Sequence, residues 1–183
     1  MPAFRAAHPE VQLRLVSQDA GFDLRRDAVD ALIHYGKPPF DGARCLASLP
    51  DVVFPVAAPT LKGLDMALDQ LPLIGCEWLE PSWLSWRRWA QLAGYPPLQK
   101  ANALRFSQYT DAVYAAVGGE GVALGWQSLI GAHLADGRLV RLGTGQVTPE
   151  ERHCLLVPTI RTQGRGARKL TEWLVAAFEE QQA

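Results

Sequence analysis

"LRFSQYTDAVYAAVGGEGVALGW", residues 104–126, carries the clearest structural pattern of this chain. It predicts a strand up to Phe106, a helix over Asp111–Val117 and a second strand over Val122–Leu124. The glycine pair Gly118–Gly119 is typical of a helix end at which one residue has positive φ. Strands and helices alternate in the same way along much of the chain, which predicts an α/β protein with largely parallel sheets.

The glycines of this segment also suggest a phosphate-binding loop, an interpretation that the order of elements excludes. Dinucleotide loops follow a strand and open a helix, so that the helix N-terminus faces the pyrophosphate. Here the helix comes first, and the spacing Gly119-x-Gly121-x-x-x-Gly125 differs from GxGxxG. The loop is therefore predicted to connect a helix to a strand and to bind no nucleotide.

Composition excludes several classes of protein. The 183 residues carry a net charge of −1 with acidic and basic residues interspersed, which argues against a strong nucleic-acid footprint. No apolar run approaches the roughly 20 residues that span a bilayer. The N-terminal residues contain no apolar signal core, and Cys45, Cys76 and Cys154 lie far apart among apolar neighbours. We therefore expect reduced cysteines, a cytoplasmic location and no disulfide framework.

Catalytic and metal-binding patterns are also absent from the sequence. The four histidines show no HxxH or HExxH spacing, and Ser128 does not lie in a GxSxG motif. Without a nucleophile–base pair, we expect neither an enzyme nor a metal or cofactor site.

The remaining elements are predicted from periodicity and from breaker residues. "VQLRLVS" (residues 11–17) alternates like a half-buried strand, and a compact strand is expected over Ala31–Tyr35. Pro55 and Pro59 suggest that the strand of "DVVFPVAAP" leaves its sheet. "TLKGLDMAL" (residues 60–68) indicates a weak helix, and Ser82 or Ser85 is expected to cap the tryptophan-rich helix that follows. The last helix has a strong apolar stripe, composed of Leu170, Trp173, Leu174, Ala177 and Phe178.

One polar segment has the position of a binding site. Ser107, Gln108 and Tyr109 follow a predicted strand and precede the helix that begins near Thr110. In open α/β sheets small ligands bind at the carboxyl ends of strands, and free N–H groups of a helix N-terminus favour a carboxylate. The alternative is that Ser107 and Thr110 only cap the helix, although capping and binding are compatible.

Taken in order, the motifs resemble a known family. "FRAAHPEVQLRL", "DALIHYG", "FPVAAP", "WLSWRRWAQLAG", "AAVGGEGVAL", "HLADGRLVRL", "LLVP" and "LTEWL" are together similar to the effector-binding domain of LysR-type transcriptional regulators. They are most similar to the branch that contains the glycine-cleavage and β-lactamase-inducer regulators. The resemblance covers essentially the whole chain.

The resemblance implies a two-lobed, periplasmic-binding-protein-like α/β fold with two crossover strands, near Ala57–Pro59 and Leu156–Thr159. Residues 1–57 and 159–183 would form the first lobe, and residues 58–158 the second. The chain would begin in the tail of the first helix of lobe one, which implies truncation at the N-terminus. The helix-turn-helix and the first strand would then lie outside it, and no residue here would contact DNA. Where the branch often has Arg in "IRYG", this chain has His34.

The same resemblance implies an effector site between the lobes. We expect one pocket lined by polar and aromatic side chains, with no Arg or Lys that the sequence forces into it: Ser17, Gln18, Tyr35, Phe106, Ser107, Gln108, Tyr109 and His153. Such a pocket suits an amino acid or a small carboxylate and disfavours a phosphorylated effector, which would require a bidentate Arg.

Three functions are compatible with these patterns. The leading hypothesis is the ligand-sensing regulatory domain of a bacterial transcription factor, which forms a homodimer and controls DNA through another domain. A periplasmic-type solute-binding protein is the alternative on the same fold, and an enzyme is the third.

Overall fold

A computed structural model describes residues 1–17, 29–77, 83–98, 104–160 and 162–181. The chain forms two compact units and passes between them twice: residues 1–50 and 150–183 form the first, and residues 51–149 the second. This division lies in the loops that precede the strands Val53–Ala57 and Arg152–Pro158. The lobe boundaries that the resemblance implies, after Ala57 and after Pro158, stay a prediction.

The first unit is a three-stranded antiparallel sheet covered by a long helix. Its elements are α1 (Pro2–Ala7), β1 (Leu32–Gly36), β2 (Ala43–Leu49), β8 (Arg152–Pro158) and α5 (Arg165–Glu180), and the strand order is β1–β8–β2. The central strand β8 buries Cys154 and Leu156 on one face and Leu155 on the other. The apolar stripe of α5 packs on this second face, where Phe178 meets Leu155. The amphipathic pattern of α5 is therefore explained by packing inside this unit.

The predicted strand over residues 11–17 is wrong. These residues belong to no strand or helix, and Leu15 and Val16 are 74% and 56% exposed. Buried and exposed side chains alternate only over the first three residues, where Val11 and Leu13 are half-buried and Gln12 between them is exposed. A strand also needs a backbone partner, and among the described strands none pairs with this segment.

The second unit is built on a mixed set of strands. Its strands are β3 (Val53–Ala57), β4 (Ile74–Cys76), β5 (Leu104–Phe106), β6 (Ala123–Trp126) and β7 (Val140–Arg141). Strand β3 lies between β6 and β7 and is antiparallel to both, whereas β4 and β5 are parallel. A parallel bridge from Leu73 to Val122 connects the two groups. The expectation of largely parallel sheets is therefore wrong for most of the described pairs.

Strand β3 is also central, against the expectation drawn from its prolines. Pro55 lies opposite Leu124 of β6, and on the other side its carbonyl accepts the N–H of Leu142 at 2.9 Å. In an antiparallel strand the N and O of one residue point the same way, so the missing N–H of Pro55 faces the chain just after the short β7. The proline therefore removes one donor at the end of a two-residue ladder, where the loss is small.

Three helices cover the strands of the second unit: α2 (Trp86–Leu92), α3 (Tyr109–Val117) and α4 (Gln127–Ala135). Ser85 caps α2 as predicted, its Oγ accepting the Arg88 N–H at 3.3 Å. Gly119, with φ of +81°, follows α3 in the predicted conformation. The helix expected over residues 60–68 is replaced by turns and a short 3-10 helix, Leu68–Gln70.

In the described part of the chain, no helix combines the length and the apolar character that crossing a membrane requires.

Candidate functional site

A small notch in the second unit lies along β4, beside the N-termini of α2 and α3. Strand β4 is parallel to β5, so Cys76 pairs with Phe106 and both strands end at the same edge of the sheet. The notch encloses about 40 Å³, which is room for a water molecule or two and not for an effector. It is lined by Ile74, Gly75, Cys76, Leu84, Ser85, Trp86, Tyr109, Ala112, Ala123, Leu124 and Trp126.

Tyr109 is the fixed member of this notch. Its hydroxyl oxygen accepts the backbone N–H of Trp126 at 3.0 Å, and its ring meets the Trp126 indole edge-on at 5.1 Å. Burial raises the pKa of the Tyr109 phenol well above its usual value. A neutral phenol held by both its ring and its oxygen can shape a pocket and offer a hydroxyl, but it supplies no charge.

Ser107 and Gln108 lie beside Tyr109 and are exposed. Gln108 occupies the N-cap position of α3, yet its side chain makes no capping hydrogen bond there. The N-terminal N–H groups of α3 are thus not satisfied by the side chain of their cap residue. The amide of Gln108 and the hydroxyl of Ser107 are both on the surface at a helix N-terminus, the kind of position at which a carboxylate is stabilised.

Sequence reasoning missed three residues that line the notch: Cys76, Ser85 and Trp126. Cys76 ends β4 just as Ser107 follows β5, so the parallel pairing of two short strands was the signal that would have found it. Ser85 was recognised only as a helix cap, although the N-terminus of α2 lies at the notch as well. Trp126, which ends β6, was not among the predicted site residues.

Two of the predicted residues meet in the first unit. Tyr35 of β1 lies directly opposite His153 of β8, and their rings are 5.0 Å apart at 49°. Both side chains are half-buried, and directly opposed residues of an antiparallel pair share one face of the sheet. This face therefore presents an imidazole beside a phenol ring at the end of β1.

The other predicted residues are distributed as follows. Ser17 is exposed and lies outside any strand. Gln18 lies outside the described residues. Phe106 is half-buried and packs against the core of the second unit. The predicted set thus comprises a Tyr35–His153 pair in the first unit and a Phe106–Tyr109 group in the second, and its union in one pocket stays a prediction.

Arg152 immediately precedes His153 in β8 and carries a positive charge. The Nε of Arg152 is buried and has no hydrogen-bond acceptor in the described part of the chain. Neighbouring residues of a strand point to opposite faces, so Arg152 belongs to the face opposite His153. Burial of the Cys154 thiol has the largest effect on its pKa and raises it to about 11, whereas the positive charge of Arg152 lowers that pKa.

The described residues contain no cluster of three His, Cys, Asp or Glu side chains that could hold a metal ion, and no disulfide joins the three cysteines. The Tyr35–His153 pair and the Phe106–Tyr109 group can offer a ligand hydrogen bonds and aromatic contacts.

Comparison with known proteins identifies the family of the chain. The family model "LysR substrate binding domain" matches residues 1–179. The chain belongs to this family. The HTH-type transcriptional regulator TrpI of Pseudomonas aeruginosa is 32% identical over 180 residues, which cover 92% of this chain and 58% of TrpI. The HTH-type transcriptional activator AmpR of Rhodobacter capsulatus is 26% identical, covering 98% of this chain and 61% of AmpR. This LysR domain therefore spans about three fifths of the curated relatives it matches.

Solved structures show the fold. The effector domain of AmpR from Pseudomonas aeruginosa superimposes with a TM-score of 0.81 at 22% identity, covering 98% of this chain and 87% of that domain. The CrgA regulatory domain from Neisseria meningitidis gives a TM-score of 0.75 at 20% identity, covering 97% and 89%. The predicted two-lobed, periplasmic-binding-protein-like α/β class is thereby confirmed for this LysR substrate-binding domain.

Proposed function

We propose that this domain senses a small-molecule effector and controls the activity of a transcription regulator. The observation that carries the proposal is the match to the LysR substrate-binding domain over residues 1–179. The relatives named above are transcriptional regulators, which supports regulation over solute transport and over catalysis. DNA would be bound by a helix-turn-helix domain, and the protein would act in the cytoplasm.

The proposed effector site combines the two groups of residues, with Ser17 and Gln18 as further contributors. Tyr35 and His153 supply an aromatic ring and an imidazole on one face of the first sheet. Ser107 and Gln108 supply exposed hydrogen-bonding groups at the N-terminus of α3. Phe106 and Tyr109 supply apolar surface beside them. Cys76 and Ser85 join the proposal because they line the notch together with Tyr109.

These groups suit an effector with one carboxylate and an aromatic or aliphatic remainder, such as an amino acid or a small aromatic acid. A single carboxylate can be held by the N-terminal N–H groups of α3, by Ser107 and by Gln108. Phosphorylated effectors are disfavoured, since they require a bidentate guanidinium and Arg152 belongs to the face opposite His153.

A homodimer is part of the proposal. The family resemblance implies antiparallel pairing of two domains, and closed two-fold dimers are the commonest oligomers. The α5 stripe is used within the first unit, where Phe178 packs on Leu155, so the dimer would be built on other surfaces. Sedimentation velocity at micromolar concentration is expected to give a species of twice the 20.1 kDa chain. A 20 kDa species alone would contradict the dimer.

A thermal-shift screen of amino acids, small carboxylates and sugar phosphates tests the effector hypothesis. A ligand present at 100 times its Kd stabilises the folded state by about 2.7 kcal/mol. We expect stabilisation by at least one carboxylate and by no sugar phosphate. Stabilisation by phosphates alone would contradict the proposed site chemistry.

A further inference from the structure

We infer that the second unit carries a further small-molecule site, separate from the proposed effector site, that takes an apolar ligand bearing a protonated amine. A pocket of about 590 Å³ opens there, within the range of volumes that hold small ligands. It is lined by Leu64, Met66, Ala67, Leu68, Asp69, Leu71, Tyr95, Pro96, Leu98, Leu142 and Gly143.

The lining of this pocket distinguishes it from the notch along β4. Leu71 precedes β4, whereas all three residues of β4 line the notch. The pocket and the notch share no lining residue in the described part of the chain. A ligand here would not compete for Ser107 or Gln108.

Three chain segments form the walls of the pocket, and packing fixes one of these walls. The turns and the 3-10 helix after β3 supply the residues from Leu64 to Leu71, the chain after α2 supplies Tyr95, and the chain after β7 supplies Leu142. The Tyr95 ring packs at 5.0 Å on Trp89, which is fully buried and donates its indole N–H to the Val53 carbonyl at 3.0 Å. On its other side the ring lies so close to Gly145 that a Cβ there would overlap it. A preformed wall lowers the cost of ordering on binding.

The chemistry of the lining selects the ligand. Eight lining residues are Leu, Met, Ala or Pro, which favours an apolar body, and Met66 is 48% exposed although its side chain is apolar. Asp69 is the single charged residue among those that line the pocket in the described part of the chain. Its carboxylate has no hydrogen-bond or ion-pair partner there either, so an ammonium group of a ligand would find an unpaired anion at this rim.

Three probes of one shape test the inference: 2-phenylethylamine, 2-phenylethanol and phenylacetate, each titrated by calorimetry and by amide chemical shifts. We expect the amine to bind most tightly, the alcohol next and the acid most weakly, with shifts centred on Leu68 and Leu142. Because Asp69 is exposed, its contribution is about 2- to 5-fold in Kd. Asp69→Asn should therefore remove the advantage of the amine over the alcohol.

Two further variants complete the test. Asp65→Asn removes an exposed carboxylate of the same segment that does not line the pocket, and it should keep the preference for the amine. Ala67→Trp fills the pocket and should abolish binding of the amine, while unfolding curves report that the variant is folded. The inference is overturned if the amine shows no saturable binding at millimolar concentration, if the acid binds as tightly as the amine, or if Asp69→Asn keeps the preference.

Discussion

The carboxylate oxygen Oδ2 of Asp51 accepts the hydroxyl hydrogen of Ser128 at 2.6 Å, which ties the start of β3 to the first turn of α4. The other oxygen of Asp51 accepts two backbone N–H groups, that of Val52 at 2.8 Å and that of Ser128 at 3.1 Å. Asp51 is buried, with 3% of its surface exposed. A buried carboxylate is stable only when its oxygens accept hydrogen bonds. Here two of the three donors belong to Ser128, at the N-terminus of a helix.

Replacing Asp51 with Ala should lower the free energy of unfolding by about 2–3 kcal/mol, because hydrogen bonds to a charged group are lost and the N–H of Ser128 loses its acceptor. Urea unfolding followed by tryptophan fluorescence measures this change. Asp136→Ala is the matched control, since Asp136 is exposed and its pair with Arg138 at 2.9 Å lies on the surface. Equal free energies of unfolding in the two variants would show that the hydrogen bonds of Asp51 make no net contribution to stability.

Gly125 and Gly131 form a matched pair for backbone packing. A Cβ on Gly125 would overlap Ile130 Cδ1 and approach Val56 Cγ2 to 3.0 Å, and both neighbours are fully buried. Gly125→Ala should therefore cost about 1–3 kcal/mol of stability. A Cβ on Gly131, inside α4, meets nothing within 4 Å, so Gly131→Ala should stabilise by up to about 1 kcal/mol. Thermal unfolding should show a lower Tm for Gly125→Ala and a higher Tm for Gly131→Ala. A higher Tm for Gly125→Ala would contradict the close packing around this glycine.

Tyr109 should make stability fall at alkaline pH. Burial raises the pKa of its phenol above the ordinary 10.0, so below pH 10 the group is protonated in both folded and unfolded chains. Above pH 10 the unfolded chain loses this proton first, and the free energy of unfolding falls by up to about 1.4 kcal/mol per pH unit. Tyr109→Phe should flatten this decline in urea titrations between pH 9 and 11. Tyr114→Phe, at a largely exposed ring, is the control, and an unchanged slope in Tyr109→Phe would contradict burial of the phenol.

Local patterns were sufficient to predict α2, α3 and α5, whereas the two-lobed class came from the family resemblance. Ser85 caps α2 because its side chain needs only the N–H of Arg88 three residues later, a relationship visible in sequence. The apolar stripe of α5 likewise predicted its buried face. Such features depend on contacts within one helix or on one face of it.

Strand pairing could not be predicted because it depends on distant partners. Residues 11–17 alternate like a strand but pair with none of the described strands, and Pro55 lies in a central strand because β7 is only two residues long. The same reason applies to the site: Cys76 approaches Phe106 through parallel pairing of β4 and β5. By contrast, Tyr35 and His153 were both predicted as site residues, and the antiparallel register places them directly opposite each other.

Calorimetric titration of the best carboxylate from the thermal-shift screen tests the central claim most directly, when wild type is compared with Gln108→Ala and His153→Ala. Each variant should weaken binding by about 1–3 kcal/mol, because a buried polar group of the effector loses its partner. Gln181→Ala removes an exposed amide just beyond α5 and should bind like wild type. Equal affinity in wild type, Gln108→Ala and His153→Ala would contradict an effector site that draws on both groups of residues.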